Sequence, residues 1–183
     1  LTTSQAAALT TQQALLLTAT LIAAFETADV QALSTNALSS FTSTQVGSLS
    51  TQGIAALTTQ QISDGVGTDI VGLSTAQIVA MSATQIASLA TAQLSKFTTL
   101  QMLALETTDL NALTTAQVTA LATDQTRALS TDQVAALNTK QVNTLATKNI
   151  YTLTTDQVAA LTTAQVLGLA TSQVAALETH QVA

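Results

Sequence analysis

The hydrophobic positions of this chain repeat every eight residues along its whole length. Steps of eight from Leu1 to Leu177 give 23 positions, and 18 of them are Leu. The exceptions are Phe25, Phe41, Gly65, Met81 and Phe97. A fixed period of this kind predicts a repeat architecture, with residues 1–183 forming a single repeat array.

The unit of eight, or octad, has constrained and variable positions. Numbered from its Leu, it reads Leu-Thr-Thr-x-Gln-Val-x-Ala. Position 3 is Thr in 19 octads, position 5 is Gln in 16, and position 6 is Val, Ile, Leu or Met in 20. Position 8 is usually small, whereas positions 2, 4 and 7 vary. The constrained positions are therefore expected to face a packed interior or a fixed backbone feature, and the variable ones to face water.

One short capped helix per octad fits this pattern best. Eight helical residues turn through about 800°, about 80° past two full turns, so a continuous helix would not keep its Leu residues on one side. With position 2 as N-cap, positions 2 and 5 form a capping box, and positions 1 and 6 form a hydrophobic staple. The helix would then run for about two turns. An N-cap at position 3 would better explain the uniform Thr there, so both registers are expected among the octads.

Helices this short are stable only when packed against neighbours. We therefore predict an all-α solenoid of short capped helices, in which two octads form a 16-residue helical hairpin and each helix packs mainly on its sequence neighbours. Small residues at position 8 would let helices approach closely. Gln at position 5 is also expected to form hydrogen bonds between successive turns. Because Thr and Val favour strands, a β-solenoid is the alternative.

The octad at residues 65–72, Gly-Val-Gly-Thr-Asp-Ile-Val-Gly, differs from the rest. Its glycines permit unusual backbone dihedrals, which predicts a kink or loop at 63–72. Gly65, Gly67 and Asp69 also spell part of a Ca²⁺-binding repeat pattern, for which Asp64 and Asp69 would be the oxygen ligands. Those sites need tandem copies and this is a single one, so the kink is the preferred interpretation and calcium binding by Asp64 and Asp69 is left open.

Few residues are candidates for catalysis. The chain has no Cys, and its single His, His180, occupies a variable position where a solvated side chain is expected. Glu26 with Asp29 and Glu106 with Asp109 recur 80 residues apart and could act as general acid–base pairs. They lie at positions 2 and 5, however, where replacement of cap residues is the preferred interpretation. The sequence predicts a non-enzymatic protein with no catalytic residue, cofactor or metal.

The charge of the chain bears on its partners. Only 8% of residues are charged and the net charge is −6, which argues against a nucleic-acid partner. No apolar run is long enough to span a membrane. Low charge weakens repulsion between copies, so self-association, end-to-end or lateral, is expected alongside the alternative of a monomer solvated by Thr and Gln. Because the chain begins and ends inside the repeat, we expect a longer array or ends that meet neighbouring copies.

Two resemblances add to this picture. Residues 153–158, Leu-Thr-Thr-Asp-Gln-Val, resemble the start of the first helix of TAL-effector repeats, which reads Leu-Thr-Pro-x-Gln-Val. The second helix and the base-reading loop are missing, so this resemblance implies shared capping and not DNA binding.

The octads as a whole resemble large repetitive bacterial surface or secreted proteins of the adhesin type. That resemblance implies an extracellular or cell-surface location in bacteria. We therefore expect a structural segment, either an extracellular stalk or a filament-forming, adhesive protein. The alternative is a scaffold that binds a protein or glycan partner through positions 2, 4 and 7.

Overall fold

The chain is built from very short helices. The structure is a computed structural model, and it describes residues 1–177. Within that range there are 20 α-helices, one π turn and one 3₁₀ turn, and no strand. The prediction of an all-α solenoid is confirmed and the β-solenoid alternative is wrong. The chain divides into two compact units, Leu1–Lys96 and Phe97–Ala183.

The first unit contains ten α-helices and both turns of other helix types. These are α1 Thr3–Ala7, α2 Thr11–Leu15, α3 Ala19–Ala23, α4 Thr27–Ala32, α5 Thr35–Leu38, α6 Ser43–Gly47, α7 Thr51–Ala56, the π turn Gln61–Gly65, the 3₁₀ turn Gly67–Gly72, α8 Thr75–Val79, α9 Ala83–Ser88 and α10 Thr91–Leu94.

The described part of the second unit contains ten α-helices. These are α11 Thr99–Ala104, α12 Thr107–Ala112, α13 Thr115–Thr119, α14 Thr123–Arg127, α15 Thr131–Ala136, α16 Thr139–Thr144, α17 Thr147–Tyr151, α18 Thr155–Ala159, α19 Thr163–Leu167 and α20 Thr171–Leu177.

Every one of these α-helices begins at position 3 of its octad. Position 2 is therefore the N-cap throughout the described α-helices, and the second register, with position 3 as N-cap, does not occur among them. The helices contain four to seven residues, so most are shorter than the predicted two turns. They end early because the next octad begins in extended backbone, as at Leu137, where φ is −59° and ψ is 135°.

Neighbours in space are helices three octads apart. In the first unit α1 packs on α4 and α4 on α7, and in the second α12 packs on α15 and α15 on α18. The prediction of a 16-residue hairpin with packing between sequence neighbours is wrong. Hydrogen bonds described below reach 28 to 31 residues back along the chain, so one turn of the coil takes between three and four octads.

The core contains three positions of most octads, whereas the octads near the two ends of the described chain are partly exposed at these positions. In the octad of α13, Leu113, Gln117 and Val118 are buried, whereas Thr114 and Ala116 are exposed. Positions 1 and 6 are buried along most of the array, as the staple predicts, and positions 2, 4 and 7 mostly face outwards. Position 5 is also buried, which the spacing alone did not predict. There a polar amide side chain lies among the apolar ones.

Small residues at position 8 allow close approach between turns. A Cβ added at Gly168 would overlap the Cγ2 methyl of Thr139, and one added at Gly72 would overlap the carbonyl oxygen of Ser43. In both cases the neighbour is position 3 of the octad three units earlier. This confirms the prediction that position 8 is small because helices approach closely there.

The unusual octad has a different backbone. The π turn Gln61–Gly65 and the 3₁₀ turn Gly67–Gly72 replace the α-helix found elsewhere. Gly67 has φ of +56°, in the left-handed region that glycine adopts without a steric penalty.

Candidate functional site

The glutamine at position 5 caps the start of its own helix. In α16 the N–H of Asn138 donates to Gln141 Oε1 at 2.9 Å, and the N–H of Gln141 donates to Asn138 Oδ1 at 2.9 Å. Thr114 and Gln117 make the same two bonds in α13, at 2.7 and 3.2 Å. The predicted capping box is confirmed.

The same side chain also bonds to the end of another helix. Gln141 Nε2 donates to the carbonyl oxygens of Leu110 at 2.8 Å, Asn111 at 3.2 Å and Leu113 at 2.8 Å. The first two carbonyls belong to the last turn of α12, where helix carbonyls lack the usual partner four residues on; the Leu110 carbonyl also accepts from the N–H of the C-cap residue Leu113, at 3.2 Å. One side chain therefore satisfies the start of one helix and the end of another. We call this set of bonds the glutamine clamp.

The glutamine clamp recurs along the described chain. Donation from Nε2 to carbonyls of an earlier turn is made by Gln45, Gln61, Gln77, Gln85, Gln93, Gln125, Gln133, Gln157, Gln165 and Gln173. The predicted bond between turns is confirmed, and it joins glutamine to backbone. Chemically the clamp supplies neutral hydrogen bonds and no acid, base or nucleophile.

Octads with Ala at position 2 keep part of this arrangement. Ala90 and Ala122 have no side-chain oxygen, yet their N–H groups donate to Gln93 Oε1 at 2.7 Å and Gln125 Oε1 at 2.9 Å. The clamp therefore holds the helix start even when the N-cap hydroxyl is missing, which explains why position 2 tolerates Ala.

The acidic pairs lie at helix starts. The N–H of Glu106 donates to Asp109 Oδ2 at 3.1 Å, and the N–H of Glu26 donates to Asp29 Oδ2 at 3.4 Å. Asp29 and Asp109 thus take the acceptor role of glutamine in the box. Burial raises the pKa of Asp109, the nearby Glu106 carboxylate raises it further, and the bond from the Glu106 N–H opposes the shift.

Asn149 is a shorter substitute for glutamine at position 5. Its Nδ2 donates to the Leu121 carbonyl at 2.9 Å, whereas its Oδ1 is buried without a hydrogen-bond partner. The side chain lacks one methylene group of glutamine, so it reaches the preceding turn but does not also accept the N–H at its own helix start.

The remaining candidates lie apart from the clamp. Asp64 is exposed and accepts from Ser63 Oγ at 2.8 Å, and Asp69 is half-buried in the 3₁₀ turn. In residues 1–177, no three or more His, Cys, Asp or Glu side chains are grouped as a metal site requires, and calcium binding stays untested. His180 lies outside the described residues. None of the described helices is long and apolar enough to cross a bilayer.

A stack of one-octad helices, many of them capped by a glutamine that also bonds to the turn before it, defines an α-helical repeat solenoid. The chain belongs to the ALTTAQ repeat family, whose model matches residues 22–62, 68–99, 102–139 and 134–171. Residues 112–117 and 160–165 both read Ala-Leu-Thr-Thr-Ala-Gln. This confirms a repeat protein, and it names neither the adhesin type nor the TAL-effector repeat. No match was found among curated proteins or solved structures.

Proposed function

We propose that the chain is a non-enzymatic structural repeat segment, part of an extracellular stalk or of a filament-forming, adhesive protein at the bacterial cell surface. The observation that carries this proposal is the glutamine clamp. Each clamp links one turn to the turn before it, so within each unit the same kind of buried bond recurs from turn to turn. A segment built this way transmits load through many equivalent contacts, and no part of it depends on one special site.

Pulling on single molecules from their two termini tests the load-bearing role. If clamps hold successive turns, the chain should open in regular steps that each release about one turn. Gln141 bonds 28 residues back to Leu113, so each step should lengthen the chain by about 95 Å at about 3.4 Å per residue. Opening of each whole unit in a single event would contradict a turn-by-turn load path.

Self-association is the second part of the proposal. It is supported by a surface with little charge, which weakens repulsion between copies. Electron microscopy of the purified chain over a range of concentrations tests it, because fibres or regular assemblies are expected. Particles that stay dispersed at every concentration would favour the alternative, a scaffold for a protein or glycan partner.

One observation favours the scaffold. In the second unit, departures from the octad pattern at buried positions occur on both α14 and α17, which pack against each other. Arg127, Lys148 and Tyr151 are exposed there, and Asn149 and Thr126 lie in the core beneath them. A localised group of unusual side chains is what a binding surface requires, whereas a plain stalk would look alike on all sides.

A further inference from the structure

Two faces of the second unit differ in charge and in side-chain size. The first face comprises positions 4 and 7 of α11, α14 and α17, and we call it the basic face. Its residues are Leu100, Leu103, Asp124, Arg127, Lys148 and Tyr151. These helices form one column, because α11 packs on α14 and α14 on α17. Positions 4 and 7 are three residues apart and so point to the same side of a helix.

The basic face combines cations with large apolar side chains. Leu100 is 67% exposed, Leu103 is 51% exposed and Tyr151 is 48% exposed. Arg127 and Lys148 are two of only four cationic residues in the whole chain, and Asp124 is the one acid on this face. Cations beside exposed apolar groups fit a surface that carries carboxylates and leaves room for bulky side chains.

The neighbouring column has the opposite character. Positions 4 and 7 of α12, α15 and α18 form the acidic face, which comprises Thr108, Asn111, Asp132, Ala135, Asp156 and Ala159. Asp132 and Asp156 are exposed, and Glu106 adds a further exposed carboxylate at the start of α12. The face has no cation, and Ala135 and Ala159 leave room at position 7.

The net charges of the two faces are opposite in sign. Arg127 and Lys148 lie on α14 and α17, which pack on each other, and Asp132 and Asp156 lie on α15 and α18, which also pack on each other. We propose that the basic face of one copy docks on the acidic face of a second copy. Arg127 and Lys148 then meet Asp132 and Asp156, and the large apolar side chains cover the alanines. This inference rests on the proposed self-association and names the surfaces that carry it.

Such a contact is heterologous, because the two faces are different parts of the same surface. After two copies bind, one still has its acidic face free and the other its basic face, so association continues to further copies unless the copies close into a ring. Exposed ion pairs stabilise weakly and are screened by salt, so the assembly should be concentration-dependent and salt-sensitive. Sedimentation velocity should show growth at about 0.01 M salt, where the screening length is about 30 Å, and its loss at about 1 M, where that length is about 3 Å.

Charge reversal on each face tests the pairing. The variant R127E/K148E carries acids on both faces, and D132K/D156K carries cations on both faces. Each should fail to associate alone at low salt, whereas an equal mixture should associate as the native chain does. The matched controls K96E/K140E and E26K/D64K change the net charge by the same amounts at exposed sites outside these faces, and they should associate normally. All the substituted side chains are exposed, so circular dichroism should match the native spectrum in every variant.

The possible failures are distinguishable. If the native chain associates but the reversal variants associate equally well, or if the mixture does not regain association, the two faces are wrong while self-association remains. If the native chain stays monomeric at every salt and protein concentration, both this inference and the proposed self-association are overturned.

Discussion

Removing one glutamine clamp should cost far more than removing one capping box. Gln141 is 1% exposed. The substitution Gln141→Ala removes its bonds to the carbonyls of Leu110 and Leu113, both at 2.8 Å, and its capping-box bond from the Asn138 N–H at 2.9 Å. At about 1 kcal/mol for each of these three bonds, the loss is about 3 kcal/mol. Gln13 is the matched control, because it is exposed and bonds only to Thr10 of its own helix in the described structure. Gln13→Ala should therefore cost about 0.5–1 kcal/mol.

Native-state hydrogen exchange is the suitable assay, since long repeat arrays do not unfold in one step. In Gln141→Ala the amides of α12 and α16 should exchange about 100-fold faster than in the native chain, whereas Gln13→Ala should accelerate exchange only near α2 and by less than about 10-fold. Gln141→Glu adds a second check, because the new side chain keeps the acceptor but cannot donate once ionised. It should be less stable than Gln141→Ala at neutral pH and recover as the pH falls. Equal losses at Gln13 and Gln141 would refute the clamp.

Three further outcomes follow from the same geometry. Asn149→Gln should restore the clamp bonds that Asn149 does not make and stabilise the second unit by about 1–2 kcal/mol, as measured by denaturant unfolding. A loss of stability would show that the longer side chain has no room. Gly72→Ala should destabilise the first unit by about 2–3 kcal/mol, because the new Cβ would overlap the backbone carbonyl of Ser43. A loss of stability below about 0.5 kcal/mol in thermal unfolding would contradict that close approach. Burial raises the pKa of Asp109, so the folded chain keeps this proton at pH values where the unfolded chain has lost it, and native stability falls as the pH rises above the ordinary value of 3.8. Asp109→Asn should remove that fall, so the variant's free energy of unfolding should exceed that of the native chain by an amount that grows between about pH 3 and about pH 7. A difference in urea midpoints that does not change with pH would contradict the role of this carboxyl.

Local structure was accessible from the sequence because capping is a local interaction. The N-cap and its partner lie three residues apart within one octad, so their types and spacing predict where each helix begins. The apolar residues at positions 1 and 6 likewise indicate which side of each helix is buried. These features need no information about neighbouring turns.

The coil itself was mispredicted because its size depends on contacts between turns. Nothing within an octad states whether a helix packs on the next helix or on the third one along. A signal was present in the choice of residue at position 5, where Gln is frequent and Glu never occurs. A capping box accepts either residue, so the preference for Gln over Glu indicates that the side chain also donates a hydrogen bond in most octads. The distance to the acceptor, 28 to 31 residues, is visible only in the fold.

Surface grouping was also beyond the sequence. Arg127 and Tyr151 are 24 residues apart, and each occupies a variable position of its octad. Packing of α14 on α17 brings them onto one face. Once the three-octad step is known, the same grouping can be read from the residues at positions 4 and 7.

The clamp also decides how such a gene can change in length. Each clamp glutamine bonds to carbonyls a fixed number of residues earlier in the chain, and the octads present equivalent carbonyls at that separation. Deleting or duplicating eight residues therefore leaves all later glutamines opposite valid acceptors, although eight residues are only a fraction of a turn. An insertion of one residue instead misaligns every clamp that spans it, which affects a full turn of bonds. We therefore expect a gain or loss of whole octads to preserve the fold and an insertion or deletion of one residue to disrupt it, which agrees with the unbroken spacing over 183 residues.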